Sequence, residues 1–227
     1  MQLSIDTSTR HASVGLFKNG QILQEINWFS QKNHSVELIP NIKKLFDDSE
    51  EKQSQLNCIF VVNGPGSFSA IRVGVSVAKA MSSALSISLI AVNSLEVEFE
   101  PFKSHIQSLW AVIPAGKQKY YVGHPPKFEN KRNGPSNMNV MSHQELISKI
   151  PNNISICGEA ASEVYSDPVV SEKHIKLLSY PPPTRKPISI YNLCIKKLSN
   201  NLIDNPLTLE PIYLRSSQIA NANKNLH

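Results

Sequence analysis

The first 30 residues alternate apolar and polar positions in three short runs. Residues 3–6 (LSID), 12–17 (ASVGLF) and 21–29 (QILQEINWF) are rich in β-forming residues. The intervening KNG at 18–20 is typical of a hairpin turn. The pattern therefore predicts three antiparallel strands at the start of the chain.

The next 60 residues change to a longer period. His34 to Phe46 places apolar residues on one helical face, and 69–85 is rich in Ala, with Met81. The fully apolar runs 58–62 (CIFVV) and 87–92 (ISLIAV) read as buried strands. A strand, a helix and a strand in this order imply a parallel crossover, so we predict a mixed sheet flanked by helices.

The second half has weaker patterning. We predict strands at 108–113, 119–124 and 154–158, helices at 143–150 and 189–198, a polar loop at 125–137 and an extended connector at 181–187. We divide the chain into an N-terminal subdomain, 1–103, and a smaller C-terminal subdomain, 104–227.

Composition limits the class of protein. With 227 residues and 41% hydrophobic content, the chain can bury a core in one or two domains. The N-terminus does not have the form of a signal peptide and no run approaches a membrane span, so we expect a cytoplasmic protein. Cys58, Cys157 and Cys194 are far apart and are expected to be buried, reduced thiols.

The net charge of +5 is uneven along the chain. Residues 1–103 carry 9 Lys and Arg against 10 Asp and Glu, whereas residues 104–227 carry 14 against 8. This excess could attract RNA, which would make the chain an independent RNA-binding protein. The basic residues are scattered and lack interleaved aromatics, so a solvated basic surface is the simpler interpretation.

A glycine turn opens the second helix, in the stretch NGPGSFSAIRVGVSVAKAM at 63–81. It does not match a P-loop, because Ser69, Ala70 and Ile71 stand where Gly, Lys and Ser or Thr are needed. The dinucleotide pattern also loses its third glycine at Ser69. Ser67 lacks the G-x-S-x-G context of a nucleophile elbow.

Five ordered motifs resemble the TsaB family. They are LSIDTSTRHASVGL at the start, NHSVELIP at 33–40, VNGPGSFSAIRVGVSVAKAM at 62–81, AVNSLE at 91–96 and LEPIYLR near the end. The resemblance implies an α/β fold of two ribonuclease-H-like subdomains of the actin-like ATPase superfamily, with mixed sheets flanked by helices and the second subdomain reduced.

The resemblance also implies a function. Such a chain would be a non-catalytic subunit of the bacterial machinery that installs threonylcarbamoyl on the adenosine beside the anticodon of tRNAs. In that system TsaD, a paralogue, holds the metal and does the transfer, and TsaE supplies ATP hydrolysis. Contact with tRNA is expected to be indirect.

Asp6, Thr7 and Ser8 stand where the superfamily places a nucleotide. An Asp at the end of the first strand approaches Mg-bound phosphates there, so these three residues are the candidate cofactor site, for a weakly bound adenine nucleotide. The alternative is that these residues only make hydrogen bonds with the backbone of the turn and the strand end. A second hypothesis follows from the same position, a stand-alone ATPase or phosphotransferase acting through Asp6.

The histidines do not predict a metal site. TsaD carries H-x-x-x-H, two imidazoles one helical turn apart, whereas His34 is followed four residues later by Leu38. No metal ligand and no catalytic residue is therefore predicted, and no cofactor beyond the nucleotide considered above.

The two predicted helices, 35–46 and 69–85, are expected to form the partner surface. Helix 69–85 has two apolar stripes, one more than packing on a sheet requires. We predict pairing with TsaD, or with a second copy, through these residues: His34, Ser35, Leu38, Ile42, Leu45, Ile71, Arg72, Gly74, Val75, Ala78, Lys79 and Ser82. Arg72 and Lys79 are predicted rim residues that pair with acids of the partner.

One departure from the family lies in the second half. TsaB proteins usually have a D-A-R/G-x-x-E-V-Y segment where this chain reads PAGKQKYY at 114–121, with Pro114 in the place of the acid. We therefore do not assign a role to an acid at this position, and we expect the second subdomain to have diverged.

Overall fold

The structure is a computed structural model that describes residues 1–31, 33–102, 108–124, 137–178 and 181–214. Its first sheet has the order β3-β2-β1-β4-β5, in which β1, β2 and β3 are antiparallel and β1, β4 and β5 are parallel. The mixed sheet predicted for the first half is confirmed. The five strands are β1 (Gln2–Asp6), β2 (His11–Lys18), β3 (Gln21–Phe29), β4 (Cys58–Val62) and β5 (Ser88–Val92).

Helices cover both faces of this sheet. α1 (His34–Ser49) and α2 (Phe68–Leu85) lie on one face, where their apolar stripes pack against alternate residues of the strands, such as Leu3 and Ile5. The helix α7 (Pro187–Ser199) lies on the other face, where Tyr191 stacks on Phe17. The period-two pattern therefore separates two apolar layers, one on each side of the sheet.

The second sheet has the order β10-β9-β6-β7-β8. Here β6, β7 and β8 are antiparallel, and β6, β9 and β10 are parallel. Its core is a separate cluster that includes Val112, Tyr120 and Leu146. The strands are β6 (Leu109–Pro114), β7 (Lys119–His124), β8 (Asn137–Ser142), β9 (Ser155–Cys157) and β10 (Lys176–Leu177).

Four short helices lie between β5 and α7 in the chain: α3 (Ser94–Phe99), α4 (His143–Lys149), α5 (Ala161–Tyr165) and α6 (Pro168–Ser171). Of these, only α4 corresponds to a predicted helix. β8 was not predicted either, and residues 125–136 of the predicted polar loop lie outside the described residues. The short elements lack a full apolar repeat, so the sequence pattern does not mark them.

The chain returns to the first sheet after the second one is complete. α7 contacts β1, β2, β4 and β5, and Asp204 forms an antiparallel bridge with Leu89 at the edge of β5. The predicted division at residue 103 stays a prediction, and the last helix of its second part packs on the first sheet.

Glycines allow the close approach of α2 to the β1–β2 turn. A side chain at Gly66 would collide with the Ser8 carbonyl, to which the Ser67 amide donates at 2.8 Å. A side chain at Gly74 would collide with Thr7, whose hydroxyl donates to the Ala70 carbonyl at 2.6 Å. The small residues of this face therefore serve contacts inside the chain.

The three cysteines are free and buried, as predicted. Burial raises the pKa of the Cys58 thiol to about 12. Among the helices that the structure describes, none is long and apolar enough to cross a membrane.

Candidate functional site

The end of β1 is a buried polar site. Asp6, Thr7 and Ser8 are each at most 1% exposed. One carboxylate oxygen of Asp6, Oδ1, accepts the Ser8 amide at 2.7 Å and the Ser8 hydroxyl at 2.6 Å. The other, Oδ2, accepts Arg185 Nε at 3.0 Å. Both oxygens of Asp6 are therefore engaged by groups of the chain itself.

Arg185 links the two sheets through its guanidinium. Besides Asp6 of β1, it donates Nη1 to Glu98 at 2.6 Å and Nη2 to Glu159 at 2.9 Å. Glu98 lies in α3 and Glu159 follows β9, so the ionic contacts join three separate parts of the fold. The Arg185 side chain is only 1% exposed. We call Arg185 with these three carboxylates the Arg185 cluster.

Two threonines complete the hydrogen bonds of the Arg185 cluster. Thr184 donates its hydroxyl to Glu98 at 2.8 Å, and Thr9 donates to Glu159 at 2.6 Å. Thr9 also accepts from Arg185 Nη2. A buried charge of this kind is tolerated only when its donors and acceptors are paired, and here all three guanidinium nitrogens have partners.

The electrostatics of the Arg185 cluster follow from one cation facing three acids. Burial alone lowers the pKa of the guanidinium, but the carboxylates of Asp6, Glu98 and Glu159 raise it above its ordinary value. Burial raises the pKa of Glu98, although Arg185 and Thr184 oppose that change. The cluster therefore favours a charged arginine and resists full ionisation of the Glu98 carboxyl.

A cleft of about 610 Å³ lies beside this cluster, between the two sheets. Thr9 and Glu159 line it, together with the start of α2 and the β6–β7 turn, but Asp6, Thr7 and Ser8 do not. Pro114, at the position where the family has an acid, also lines the cleft. Whatever occupied this space would meet Glu159 and not Asp6.

His34 is a structural residue at the start of α1. It is 6% exposed, its Nε2 lies 2.8 Å from the Thr9 carbonyl, and its Nδ1 lies 3.3 Å from the Ser30 hydroxyl. Nε2–H donation to the carbonyl leaves Nδ1 to accept from Ser30. In the described ranges, no group of three His, Cys, Asp or Glu residues is placed to hold a metal ion.

The predicted partner surface needs a correction. Nine of its residues are buried in the chain's own fold: His34, Leu38, Ile42, Leu45, Ile71, Gly74, Val75, Ala78 and Ser82. The prediction selected the stripe of α2 that packs on the sheet, because both stripes of this helix are small and apolar. Ser35 is exposed, so it alone of the predicted α1 residues reaches solvent.

The opposite stripe of α2 reaches the surface. Val73 and Val77 are half-buried and Ala80 and Ala84 are exposed, whereas α1 exposes Val36 and Ile39 to 68% and 51%. We call these six residues the outer face. Exposure of such apolar groups to water is unfavourable, so a partner that covers them stabilises the complex.

Arg72 and Lys79 have partners inside the chain. Arg72 donates Nε to the Tyr213 hydroxyl at 2.8 Å, and Lys79 donates to the Leu209 carbonyl at 3.0 Å. Both partners belong to residues 204–214, which we call the strap. The prediction that these two cations form a rim for acids of a partner needs correction for Lys79, since its ammonium is held by the strap.

Sequence reasoning missed the Arg185 cluster. Arg185 lies in the stretch PPPTRKP, which indicated only an extended connector, and Glu98 lies in an unpredicted helix. Arg185 is 87 residues from Glu98 and 179 residues from Asp6 in sequence, so no local spacing joins them. The one available signal was Asp6, a carboxylate at the end of a buried strand that requires a partner.

Comparisons with known proteins fit this architecture. The family model for TsaD, tRNA N6-adenosine threonylcarbamoyltransferase, matches residues 28–155, which is more than half of the chain. Residues of the chain are 36% identical over 94 residues to the tRNA threonylcarbamoyladenosine biosynthesis protein TsaB of Bacillus subtilis. They are 29% identical over 123 residues to the protein of the same name from Buchnera aphidicola of Acyrthosiphon pisum.

The matched part covers 41% of this chain and 41% of the Bacillus protein, and 53% and 55% for the Buchnera protein. The chain thus spans about half the length of the curated relatives it matches. Among solved structures, YeaZ from Pseudomonas aeruginosa superposes with a TM-score of 0.74 at 18% identity, over 94% of this chain and 99% of that one. This similarity shows the fold.

The fold is therefore the ribonuclease-H-like fold of the actin-like superfamily, with two mixed sheets flanked by helices, as predicted. The chain belongs to the family that the TsaD model describes, and it is similar to proteins named TsaB.

Proposed function

We propose that this chain is a non-catalytic subunit that pairs with TsaD and is required for threonylcarbamoylation of the adenosine beside the anticodon in tRNA. The names of its relatives support the pathway, since they are tRNA threonylcarbamoyladenosine biosynthesis proteins. The pairing with TsaD, a place for TsaE in a larger complex and a cytoplasmic location are parts of this proposal.

The observation that carries the proposal is the state of Asp6. Its carboxylate is fully buried, and both oxygens accept hydrogen bonds from Ser8 and Arg185. A phosphate or hydrated Mg²⁺ would have to displace the Arg185 guanidinium to reach it. This weighs against the alternative of an ATPase or phosphotransferase acting through Asp6, and no separate observation favours that alternative.

We propose that the chain needs no cofactor of its own. The weak adenine nucleotide considered from the sequence would have to bind in the cleft beside Thr9 and Glu159 instead of at Asp6. Residues 125–136 and 215–227, which lie outside the described residues, carry five of the 14 Lys and Arg of residues 104–227 and one of their eight Asp and Glu, and so hold most of the net positive charge of that half. We therefore retain an indirect role toward tRNA.

The outer face is the proposed contact with TsaD. The family model spans both α1 and α2, so TsaD carries a corresponding pair of helices that could meet this pair. Ala80 and Ala84 let another backbone approach α2 closely, and Val36 and Ile39 supply apolar area on α1. A symmetric pair of two copies of this chain would use the same face in the absence of TsaD.

Association with TsaD tests the proposal through a matched pair of variants. Ile39→Glu places a charge on the outer face, where the residue is 51% exposed, and Val169→Glu places one on α6, where the residue is 47% exposed. We expect sedimentation velocity to show a complex for wild type and Val169→Glu, and at least about tenfold weaker association for Ile39→Glu, because a buried unpaired charge is costly.

Two results would contradict the proposal. Wild-type chain and TsaD sedimenting separately at micromolar concentration would reject the pairing. Equal association of both variants would reject the outer face as the contact. Circular dichroism of each variant verifies that folding is unchanged, which the exposure of both sites leads us to expect.

A further inference from the structure

Phe68, Arg72 and Tyr213 form an exposed cluster at the start of α2. The guanidinium carbon of Arg72 lies 4.0 Å from the centroid of the Phe68 ring, and the Phe68 and Tyr213 ring centroids are 4.7 Å apart. Phe68 is 54% exposed and Tyr213 is 39% exposed. We call these three residues the Arg72 cluster.

The strap holds Tyr213 in this position. Asp204 accepts the Ala91 amide at 2.7 Å and so fixes the start of the strap on the edge of β5. Leu209 is buried in the core of the first sheet, and the Ile212 amide donates to the Asn63 carbonyl at 2.7 Å. These contacts hold the strap in place up to Tyr213 and so position Tyr213 beside Arg72, although the two residues are 141 apart in sequence.

Arg72 retains unused hydrogen-bonding capacity. Its Nε donates to the Tyr213 hydroxyl, but within the part of the chain described here its two terminal nitrogens have no acceptor. A guanidinium that lies over the Phe68 ring and is hydrogen-bonded to Tyr213 has already lost much of its rotamer freedom, so binding costs less entropy. Its free edge fits a carboxylate in bidentate geometry.

We propose that the Arg72 cluster anchors the docking surface and that it receives a carboxylate of TsaD, with an apolar side chain of that subunit covering the Phe68 ring. The proposal rests on the proposed function, since it names the anchor within the same contact. Arg and Tyr are enriched among the residues that dominate binding energy at interfaces.

Continuity with the outer face favours a protein partner over a nucleic acid. The Arg72 cluster and the outer face share α2, so one partner can cover both. An RNA phosphate could bind Arg72 but would leave Val36 and Ile39 in water. A protein surface carrying one carboxylate among apolar groups satisfies both parts of this region.

Calorimetric titration of TsaD into the full chain tests the anchor. We expect Tyr213→Ala and Arg72→Lys each to raise the Kd by about tenfold or more, because the first removes the stacked ring and the second the bidentate fork. Tyr213→Phe, which keeps the ring but loses the hydroxyl that orients Arg72, should raise it less. The matched control Tyr165→Ala, on α5 at 41% exposure, should leave Kd within about twofold.

The outcomes separate this inference from the proposed function. If the wild-type chain binds TsaD and the Kd is unchanged in Arg72→Lys, Tyr213→Ala and Tyr213→Phe, the anchor is wrong and the pairing stands. If the wild-type chain does not bind TsaD, both fail. If the variants weaken binding of tRNA alone and not of TsaD, the cluster is a nucleic-acid contact and the inference is overturned.

Discussion

The guanidinium groups of Arg185 and Arg72 lie in opposite surroundings, one buried and one exposed. Arg185 is 1% exposed and every nitrogen has a partner among Asp6, Glu98, Glu159 and Thr9. Arg72 is exposed and uses only its Nε within the described residues. Arg185 therefore cross-links the fold internally and occupies a potential site, whereas Arg72 is held at the surface with its terminal nitrogens available.

Under the proposed function, this difference places the binding surface on α1 and α2 and not at the end of β1. In the Arg185 cluster, the position that could serve phosphate chemistry is saturated by the chain. Around α1 and α2, apolar groups and a partly used guanidinium remain open. Under the proposed function, the comparison explains how a fold related to that of an enzyme could serve as a binding subunit without a large change of architecture.

Removal of the Arg185 guanidinium gives the largest expected effect. Arg185→Met keeps much of the side-chain volume but leaves the buried carboxylates of Asp6 and Glu98 and the half-buried carboxylate of Glu159 without a cation, so we expect the free energy of unfolding to fall by about 3–5 kcal/mol. Arg72→Met, the exposed counterpart, should lower it by at most about 1 kcal/mol. Urea unfolding at pH 7 measures both values, and equal losses would contradict the comparison.

The pH dependence of stability gives a smaller and more specific test. The pKa of Glu98 is raised in the folded state, so the protonated carboxyl stabilises the fold. This contribution to the free energy of unfolding is fully present below the unfolded pKa near 4.5 and is lost as pH rises through the folded pKa. Glu98→Gln keeps an acceptor for Arg185 and Thr184 but cannot ionise. We therefore expect the stability of this variant relative to wild type to increase as pH rises above about 4.5.

Urea unfolding of wild type and Glu98→Gln between pH 4.5 and 8 measures this difference. Parallel pH profiles would show that Glu98 has the same proton affinity in the folded and unfolded states, and would remove it from the electrostatic account of the Arg185 cluster. Glu163→Gln, an exposed acid of α5, serves as the control for loss of one carboxylate.

The sequence predicts the first sheet well because its signals are local. Alternation in 3–29 and the apolar runs at 58–62 and 87–92 predict strands, and the turn signal at 18–20 predicts the hairpin between β2 and β3. In the second half β8 and the short helices have too few residues for a complete pattern. Their positions depend on contacts with elements distant in sequence.

The site was predicted only in part for the same reason. Asp6 and His34 stood out by position, but the Arg185 cluster that sets the role of Asp6 joins residues from four distant segments. α2 shows a different limit. Its two apolar stripes are both made of small residues, and the stripe that faces the sheet is the one that places Gly74 against Thr7 and Ile71 and Val75 in the core, contacts between segments distant in sequence.

The most direct test of a binding role is the stoichiometry of tRNA modification. Threonylcarbamoylation of tRNA by a fixed amount of TsaD, with a threonylcarbamoyl donor, TsaE and ATP in excess, would be measured while this chain is added at concentrations above the Kd. If the chain is a scaffold subunit, the rate rises linearly with its concentration and reaches a plateau at an equimolar ratio to TsaD. A plateau at far lower ratios, as for a catalyst acting in many turnovers, or full activity without the chain, would contradict the account.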